Sequence, residues 1–322
     1  MSLIELRSEK AWENIFQEKC RYPNLQSHRS TPLARPHIQP KFKISKNEKI
    51  FTIGSCFARN VESILAEKGF NLPAFDLVKR IQDKPNENIH IHNKYNPFSI
   101  LQELKWAFGV ENVPNSMERL FCLQNGNCVD FFLHMNPENM DVCNWLAEQN
   151  TICFEESLAC SVWIITLGLS EVWIDKSTGR YVVEPQNFYK LWPDQKDLQQ
   201  SWHDRFLFKL LSLPETLSCL QQIFDLLQKY APQDTRVLLT VSPVPMAGTF
   251  INRDVMISNC YSKSLLRVAA EHVAQTNPNV DYFPSYESVM YSPRESAWQG
   301  DGIHVQQKMV EDVIQRMLQF YL

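Results

Sequence analysis

The sequence reads Phe51-Thr-Ile-Gly-Ser-Cys-Phe-Ala-Arg-Asn-Val-Glu-Ser-Ile-Leu-Ala-Glu-Lys-Gly69 where a β-rich run gives way to a helical one. Residues 49–53 are mostly β-branched or aromatic, which predicts a short buried strand. Gly54 predicts a turn. From Phe57 onward the apolar residues recur every three or four positions, as in an amphipathic helix, and Gly69 predicts its end. The stretch therefore predicts a strand, a glycine turn and a helix.

Ser55 and Cys56 fall at this turn, where the predicted helix begins. Backbone N–H groups at a helix start are unpaired and carry partial positive charge. A thiol in such a position has a stabilised thiolate, and its pKa typically falls to about 3.5–7.5. We therefore predict Cys56 as a nucleophile and retain Ser55 as the alternative nucleophile. The other interpretation of Cys56 is a buried structural thiol.

The composition is that of an ordinary globular protein and argues against two classes of partner. The formal net charge is −4, which provides no electrostatic footprint for nucleic acid. No run of about 18 apolar residues is present, so we expect no membrane span. The nine cysteines form no CxxC pair, and the start of the sequence lacks an apolar leader. We therefore expect reduced thiols and a cytoplasmic protein.

The chain divides into an extension and one large unit. Residues 1–48 are interrupted by prolines and predict an N-terminal extension. Residues 49–322 alternate strand-like runs with helical patterns, which predicts one α/β domain with a parallel sheet covered on both faces. Insertions are expected around 110–160 and 174–205, the second including an aromatic-rich flap. A second strand is expected at 70–75.

Polar residues that could carry chemistry follow the predicted strands, where sites form in open α/β sheets. Gly168-Leu-Ser-Glu171 follows the apolar run at 161–167, and Asp301-Gly-Ile-His304 precedes the last helix. A carboxylate three residues before a histidine can accept the Nδ1–H of the ring, which leaves Nε2 free as a base. We therefore predict that Asp301 orients His304 as the base for the nucleophile.

Other polar residues have weaker assignments. Arg59 is expected either to bind an anionic group of the substrate or to be a solvated helix residue. Lys263 is expected on an exposed helix face. His90 and His92 share one face of an extended run, but no third ligand lies at a suitable spacing, so we predict no metal site.

Several ordered motifs resemble the GSCFA family. The family name matches Gly54-Ser-Cys-Phe-Ala58, and further matches are Thr166-Leu-Gly-Leu-Ser-Glu-Val-Trp173, Thr240-Val-Ser-Pro-Val-Pro245 and Asp301-Gly-Ile-His304. That family is similar to the SGNH (GDSL-like) hydrolases. The resemblance therefore implies a flavodoxin-like three-layer sandwich with a central parallel sheet. It also implies a nucleophile at the first strand–helix turn and a late Asp–His pair.

The resemblance also implies roles for individual residues. Cys56 takes the place of the SGNH serine nucleophile, and Gly54 takes the glycine position before it. Gly168-Leu-Ser-Glu171 stands where SGNH enzymes carry GxND, so Ser170 replaces the asparagine of the oxyanion hole. Asn96 is a candidate for the missing donor, together with backbone N–H groups near Cys56 and Gly168.

We therefore expect an SGNH-like acyl-transfer enzyme with a Cys–His–Asp arrangement, either an esterase or acetylhydrolase or an O-acyltransferase. The expected substrate is a small-molecule or carbohydrate-type ester or thioester, and the acceptor is water or a sugar-like hydroxyl. No cofactor is expected to be required, and an acyl-CoA is a candidate donor. The competing hypothesis is a non-catalytic ligand-binding or scaffold protein that retains the fold, because Ser170 departs from GxND.

Overall fold

The computed structural model describes residues 4–82, 91–123, 125–183 and 196–322. Its strands are β1 (Ile50–Gly54), β2 (Leu120–Cys122), β3 (Cys128–Asp130), β4 (Val162–Leu167), β5 (Glu171–Asp175), β6 (Tyr181–Val182), β7 (Phe206–Leu210), β8 (Arg236–Val241) and β9 (Val280–Tyr282). Its α-helices are α1 (Ser8–Ile15), α2 (Cys56–Glu67), α3 (Pro73–Gln82), α4 (Pro97–Ala107), α5 (Ser116–Arg119), α6 (Met140–Ser157), α7 (Lys196–Arg205), α8 (Leu213–Tyr230), α9 (Val255–Thr276), α10 (Ser285–Met290), α11 (Arg294–Ala297) and α12 (Gln307–Tyr321). Among the residues described, none of these helices combines the length and apolarity that a bilayer span requires.

A four-stranded parallel sheet in the order β1-β4-β8-β9 forms the centre of the protein. Strand β4 lies between β1 and β8, with Ile164 opposite both Thr52 and Leu238. Because the strands are parallel, each connection crosses over through helices, and the carboxyl ends of all four strands meet at one edge. The predicted α/β fold class with a central parallel sheet is confirmed.

Beyond β1 the sheet continues as isolated parallel bridges, one between Lys49 and Asn71 and a second between Gly54 and Asn93. The N–H of Ile50 donates to the carbonyl of Asn71 at 3.0 Å. The segment after α2 therefore lies outside β1, as the second strand does in flavodoxin-like sheets. The prediction of a strand at 70–75 is wrong beyond the bridge at Asn71, because α3 begins at Pro73. Proline lacks a ladder donor and favours the first turn of a helix.

Alternate residues of the central strands enter two hydrophobic cores, one on each face of the sheet. In β4 the first core receives Trp163, Ile165 and Leu167, and the second receives Val162 and Ile164. Helices α3, α4, α6, α8 and α9 contribute to the first core, and α2, α10 and α12 contribute to the second. The protein is therefore a three-layer sandwich.

Two small antiparallel sheets lie outside the central sheet. Strand β2 pairs with β3, and β5 pairs with both β6 and β7. An aromatic cluster that includes Phe131, Trp202 and Phe206 packs among them. Strands β2, β3 and β6 fall in the regions where insertions were expected, whereas β5 only overlaps the second region and β7 follows it. Residues 184–195 of the expected flap lie outside the described residues.

The segment before β1 packs along the last helix. Leu33, Ile38 and Ile44 are buried in the same core as α12. The N–H of Ile44 donates to the carbonyl of Tyr321 at 2.6 Å. The two ends of the chain are therefore held together on one face of the sheet.

Candidate functional site

The turn after β1 requires glycine at position 54. Gly54 has a φ of +142°, and a Cβ at this position would lie 2.2 Å from the carbonyl oxygen of Thr166 in β4. Other residues rarely adopt that φ, and the contact is too close for any side chain. The glycine therefore lets the chain turn against β4 and begin α2 at once, which places Ser55 and Cys56 at the edge of the sheet.

Ser55 is the N-cap of α2. Its Oγ accepts from the N–H of Phe57 at 3.4 Å, and its carbonyl accepts from the N–H of Ala58 at 2.8 Å. The residue is only 3% exposed. Capping by serine stabilises the start of a helix. Ser55 is therefore less accessible than its neighbour Cys56, and its assignment as the alternative nucleophile stays a prediction.

Cys56 is the first residue of α2 and is partly exposed. Burial raises the pKa of its thiol above the ordinary value. The ammonium of Lys263, the backbone N–H groups of Phe57 and Cys56, and the more distant Arg59 all act to lower that pKa. The helix start therefore lowers the pKa of the Cys56 thiol, as expected, but desolvation raises that pKa by more.

Lys263 lies inside the protein, with 1% of the residue exposed. The prediction of an exposed face at this position is therefore wrong. Its Nζ donates to the carbonyl of Gly168 at 2.9 Å. Burial lowers the pKa of Lys263 to about 7, and the charge of Cys56 acts to raise it. The sequence signal for this burial is the inward stripe of α9, which follows Lys263 at spacings of three, seven and ten residues with Leu266, Ala270 and Val273.

A short segment before α4 packs against the turn. The N–H of Lys94 donates to the carbonyl of Gly54 at 2.9 Å, and the carbonyl of Tyr95 accepts from the N–H of Gly168 at 3.0 Å. A Cβ on Gly168 would lie 2.9 Å from that Tyr95 oxygen and 3.6 Å from the Cβ of Ser55. The segment and the turns after β1 and β4 therefore meet at one point. The Gly168 N–H, expected as an oxyanion donor, is already engaged.

Ser170 is also engaged in the fold. Its N–H donates to Ser262 Oγ of α9 at 2.9 Å, and its own Oγ is buried without a hydrogen-bond partner. Its N–H is therefore engaged, and the oxyanion role expected for its side chain stays a prediction.

Asn96 is placed differently from Ser170. Its Oδ1 accepts from the N–H of Ser99 at 2.9 Å and so caps α4. Within the described ranges, no hydrogen-bond acceptor contacts its Nδ2, and the backbone N–H of Cys56 contacts no acceptor besides its own thiol. These two N–H groups are the donors that the site has available for an oxyanion.

Two charged residues expected to contact substrate are paired within the protein. Arg59 forms an ion pair with the buried carboxylate of Glu62. Glu171 accepts from the hydroxyl of Thr249 and, at 3.0 Å, from the N–H of Phe250. Arg59 therefore holds α2, and Glu171 holds the loop after β8, and their assignment to substrate binding stays a prediction.

Asp301 and His304 form a hydrogen-bonded pair, with 2.5 Å between Asp301 Oδ2 and His304 Nδ1. The other carboxylate oxygen accepts from the N–H groups of Ile303 and His304. These hydrogen bonds lower the pKa of Asp301 to about 2. The ionised carboxylate can only accept, so Nδ1 carries the proton and Nε2 is the basic nitrogen. The side chains are 44% and 63% exposed.

The structure does not join His304 to Cys56. Across the described residues, no hydrogen bond links the thiol to the imidazole. The loop that carries His304 is closed by a bridge between Trp298 and Val305, and Val305 shares a hydrophobic core with Phe57. The loop and the turn therefore belong to the same layer, and the role of His304 as the base stays a prediction.

The family model described as GSCFA family matches residues 49–317, which run from just before β1 into α12. The chain belongs to the GSCFA family. The resemblance seen in the motifs is therefore confirmed. A search of the curated proteins finds no match for the chain. The GSCFA match includes the turn at Gly54, Lys263 and the Asp301–His304 pair, and it excludes residues 1–48.

The histidines considered as a metal pair give no site in the described residues of this GSCFA protein. His92 is buried, its Nε2 lies 3.1 Å from the carbonyl of Thr52, and burial holds the pKa of His92 well below its usual range. His90 lies outside the described residues. Within the described ranges, no group of three or more His, Cys, Asp or Glu residues is arranged to hold a metal ion.

Proposed function

We propose that this GSCFA protein is an acyl-transfer enzyme that forms an acyl intermediate on the Sγ of Cys56. The substrate is a small-molecule or carbohydrate-type ester or thioester, with an acyl-CoA as a candidate donor. The observation that carries the proposal is a partly exposed thiol at the first residue of a helix, on which the buried Lys263 acts electrostatically. Both features favour the nucleophilic thiolate.

In the proposed reaction, the thiolate of Cys56 attacks the acyl carbon. The S–C bond forms, the bond to the leaving oxygen or sulfur breaks, and protonated His304 gives the leaving group a proton. Water or a sugar-like hydroxyl then gives its proton to His304 and attacks the thioester, which breaks the S–C bond. The cycle returns the thiolate and the imidazolium, and Asp301 stabilises that imidazolium.

The proposal assigns the negative charge on the acyl oxygen to the N–H of Cys56 and the Nδ2 of Asn96. Asn96 borders a narrow cleft of about 30 Å³ that is also lined by Leu169, Val172 and Met246. That volume holds roughly two water-sized groups. The proposal assigns a short acyl group, such as acetyl, to this cleft, which borders Asn96 and is not lined by Cys56.

The test is to identify the acylated residue. Incubation with p-nitrophenyl acetate, acid quenching and peptide mass spectrometry should place one acetyl group on Cys56. Cys56→Ala should lower kcat/KM by at least about a thousandfold, because the residue that forms the covalent intermediate is lost. Cys260→Ala, which removes an exposed thiol on α9, is the matched control and should stay within about twofold of the parent.

Two outcomes would contradict the assignment of Cys56. One is undiminished turnover by Cys56→Ala. The other is an acetyl group found on Ser55, in which case Ser55→Ala, and not Cys56→Ala, should abolish the label.

A second candidate function is non-catalytic binding of the same class of ligand. It is favoured by the engaged N–H groups of Gly168 and Ser170 and by the absence, in the described chain, of a hydrogen bond between Cys56 and His304. In that case neither p-nitrophenyl acetate nor acetyl-CoA would label Cys56. Acetyl-CoA would then raise the melting temperature of the parent and of Cys56→Ala equally.

A further inference from the structure

Lys263 is a buried cation without a carboxylate. The residue is 1% exposed, its Nζ donates to the carbonyl of Gly168 at 2.9 Å, and no acidic side chain of the described chain forms an ion pair with it. Burying an ammonium group without an opposite charge is strongly unfavourable. A lysine held in this way is stabilised by losing its proton or by an anion other than a carboxylate.

The surroundings of Lys263 identify that anion. The carbonyl that Lys263 contacts belongs to Gly168, where a Cβ would lie 3.6 Å from the Cβ of Ser55, the neighbour of Cys56. The preceding residue, Ser262, accepts from the N–H of Ser170 at 2.9 Å and so fixes α9 against the same loop. Cys56 is the acidic group whose charge acts on Lys263.

We propose that Lys263 is the counter-charge of the Cys56 thiolate, so that the thiol and the amine ionise together. The inference deepens the proposed function and rests on Cys56 being the nucleophile. The S–H bond breaks, and the proton lost from Sγ is balanced by a proton gained at the neutral amine Nζ. The pair has zero net charge in both states, so the buried site never holds an isolated charge. Lys263 is a positioning residue that acts on substrate only through the sulfur.

The other charged groups near the sulfur do not replace Lys263. Arg59 approaches from α2, but it is paired with Glu62. The N–H groups of Cys56 and Phe57 contribute only partial charges from the same helix. In the described chain, Cys56 is the one titratable group that acts on Lys263. Because burial lowers the pKa of Lys263 to about 7, the amine can be neutral at neutral pH and can accept a proton.

The experiment is the pH profile of alkylation of Cys56 by iodoacetamide, read by peptide mass spectrometry and compared among the parent, Lys263→Met and Lys263→Arg. Lys263→Met should move the midpoint to higher pH and lower the rate at pH 7 by about tenfold or more, because only the thiolate reacts. Lys263→Arg keeps a positive charge and should recover part of that loss. The exposed Cys20 and Cys260 in the same samples serve as internal references and should not change.

Coincident profiles for the parent and Lys263→Met would overturn the proposal. A second measurement leaves Lys263 in place in case its variants fail to fold. The titration of the Lys263 side chain is followed by NMR with lysine-labelled protein, in the parent and in Cys56→Ala. Loss of the thiolate should lower the midpoint of Lys263, and an unchanged midpoint would also overturn the proposal. Neither measurement uses an acyl substrate, so a failure of acyl transfer can be distinguished from a failure of this pairing.

Discussion

Lys94 and Lys263 are both fully buried, at 0% and 1% exposure, but their partners differ. Lys94 forms an ion pair with Glu103 and donates to the carbonyl of Phe132 at 2.5 Å. Glu103 also accepts from Asn150 at 3.2 Å. Lys263 meets a backbone carbonyl and no carboxylate among the described residues.

The comparison distinguishes a buried charge that stabilises the fold, at Lys94, from one that we assign to the ionisation of Cys56, at Lys263. A buried ion pair with its hydrogen bonds satisfied fixes the elements that carry it, and removing one partner leaves the other charge unpaired. At Lys94 that fixed element is the segment leading into α4. In the part of the chain that the structure describes, the titratable group that acts on Lys263 is the thiol of Cys56. The ammonium of Lys263 therefore has an opposite charge only when that thiol ionises. Lys263 is therefore built for the thiolate state of Cys56.

The largest expected effect is on stability. Lys94→Met should reduce the free energy of unfolding by about 3–5 kcal/mol, because Glu103 would remain buried without its partner. Lys263→Met should leave the free energy of unfolding within about 1 kcal/mol of the parent, or raise it, because it removes a cation that has no carboxylate. Urea unfolding at pH 7 measures both, with the exposed Lys229→Met as control. Equal losses in the two buried variants would show that Lys263 is structural after all.

The next effect distinguishes the role of His304, which transfers the proton, from that of Lys263, which is the counter-charge of the thiolate. His304→Ala should lower kcat/KM by about a hundredfold, because positioned acid–base groups typically contribute about 10²–10⁴. It should leave the alkylation profile of Cys56 unchanged, because the parent structure has no contact between the two side chains in the described chain. The partly exposed His272→Ala is a control for loss of an imidazole. A shift of the Cys56 profile in His304→Ala would mean that His304, not Lys263, sets the state of the thiol.

The effect that is smallest per step of the measurement is the pH dependence of stability, at up to about 1.4 kcal/mol per pH unit. Burial lowers the pKa of Lys263 to about 7 from its ordinary 10.5. Between those values the unfolded chain keeps a proton that the folded chain has lost, so stability should rise with pH across that window. The comparison is between Cys56→Ala and Cys56→Ala/Lys263→Met, which removes the thiolate from both. Their difference in unfolding free energy should grow with pH by up to about 1.4 kcal/mol per pH unit. A difference that does not vary with pH would show an ordinary pKa for Lys263.

Much of the architecture could be predicted from the sequence, because strands and helices follow local patterns. The apolar runs at β1, β4, β8 and β9 are short and separated by helical stripes, which requires a parallel sheet with crossover helices. The error at 70–75 arose because a short apolar run does not distinguish a strand from a helix start. Pro73 was the residue that favoured the helix.

The candidate site was only partly predictable. The turn at Gly54 and the Asp301–His304 hydrogen bond depend on residues close together in the chain, and both are present in the structure. The partners of Arg59 and Gly168 depend on what packs against them: Arg59 pairs with Glu62, and the N–H of Gly168 bonds to Tyr95. Their expected roles assumed that these groups have no partners within the protein. Buried polar groups are normally hydrogen-bonded, and in the fold both groups have such partners.

The sequence by itself determined the strand, turn and helix around Cys56 and the local Asp–His pair. It also determined that strands alternate with helices along the chain, as in a parallel sheet with crossover connections. These follow from spacing along the chain and from hydrogen bonds between near neighbours. Only the tertiary structure decided that Lys263 is buried against the loop of Gly168, and that the Ser170 N–H and the Glu171 carboxylate are hydrogen-bonded. Desolvation and charge pairing depend on which distant segments pack together, and α9 reaches the turn after β1 only in the folded protein.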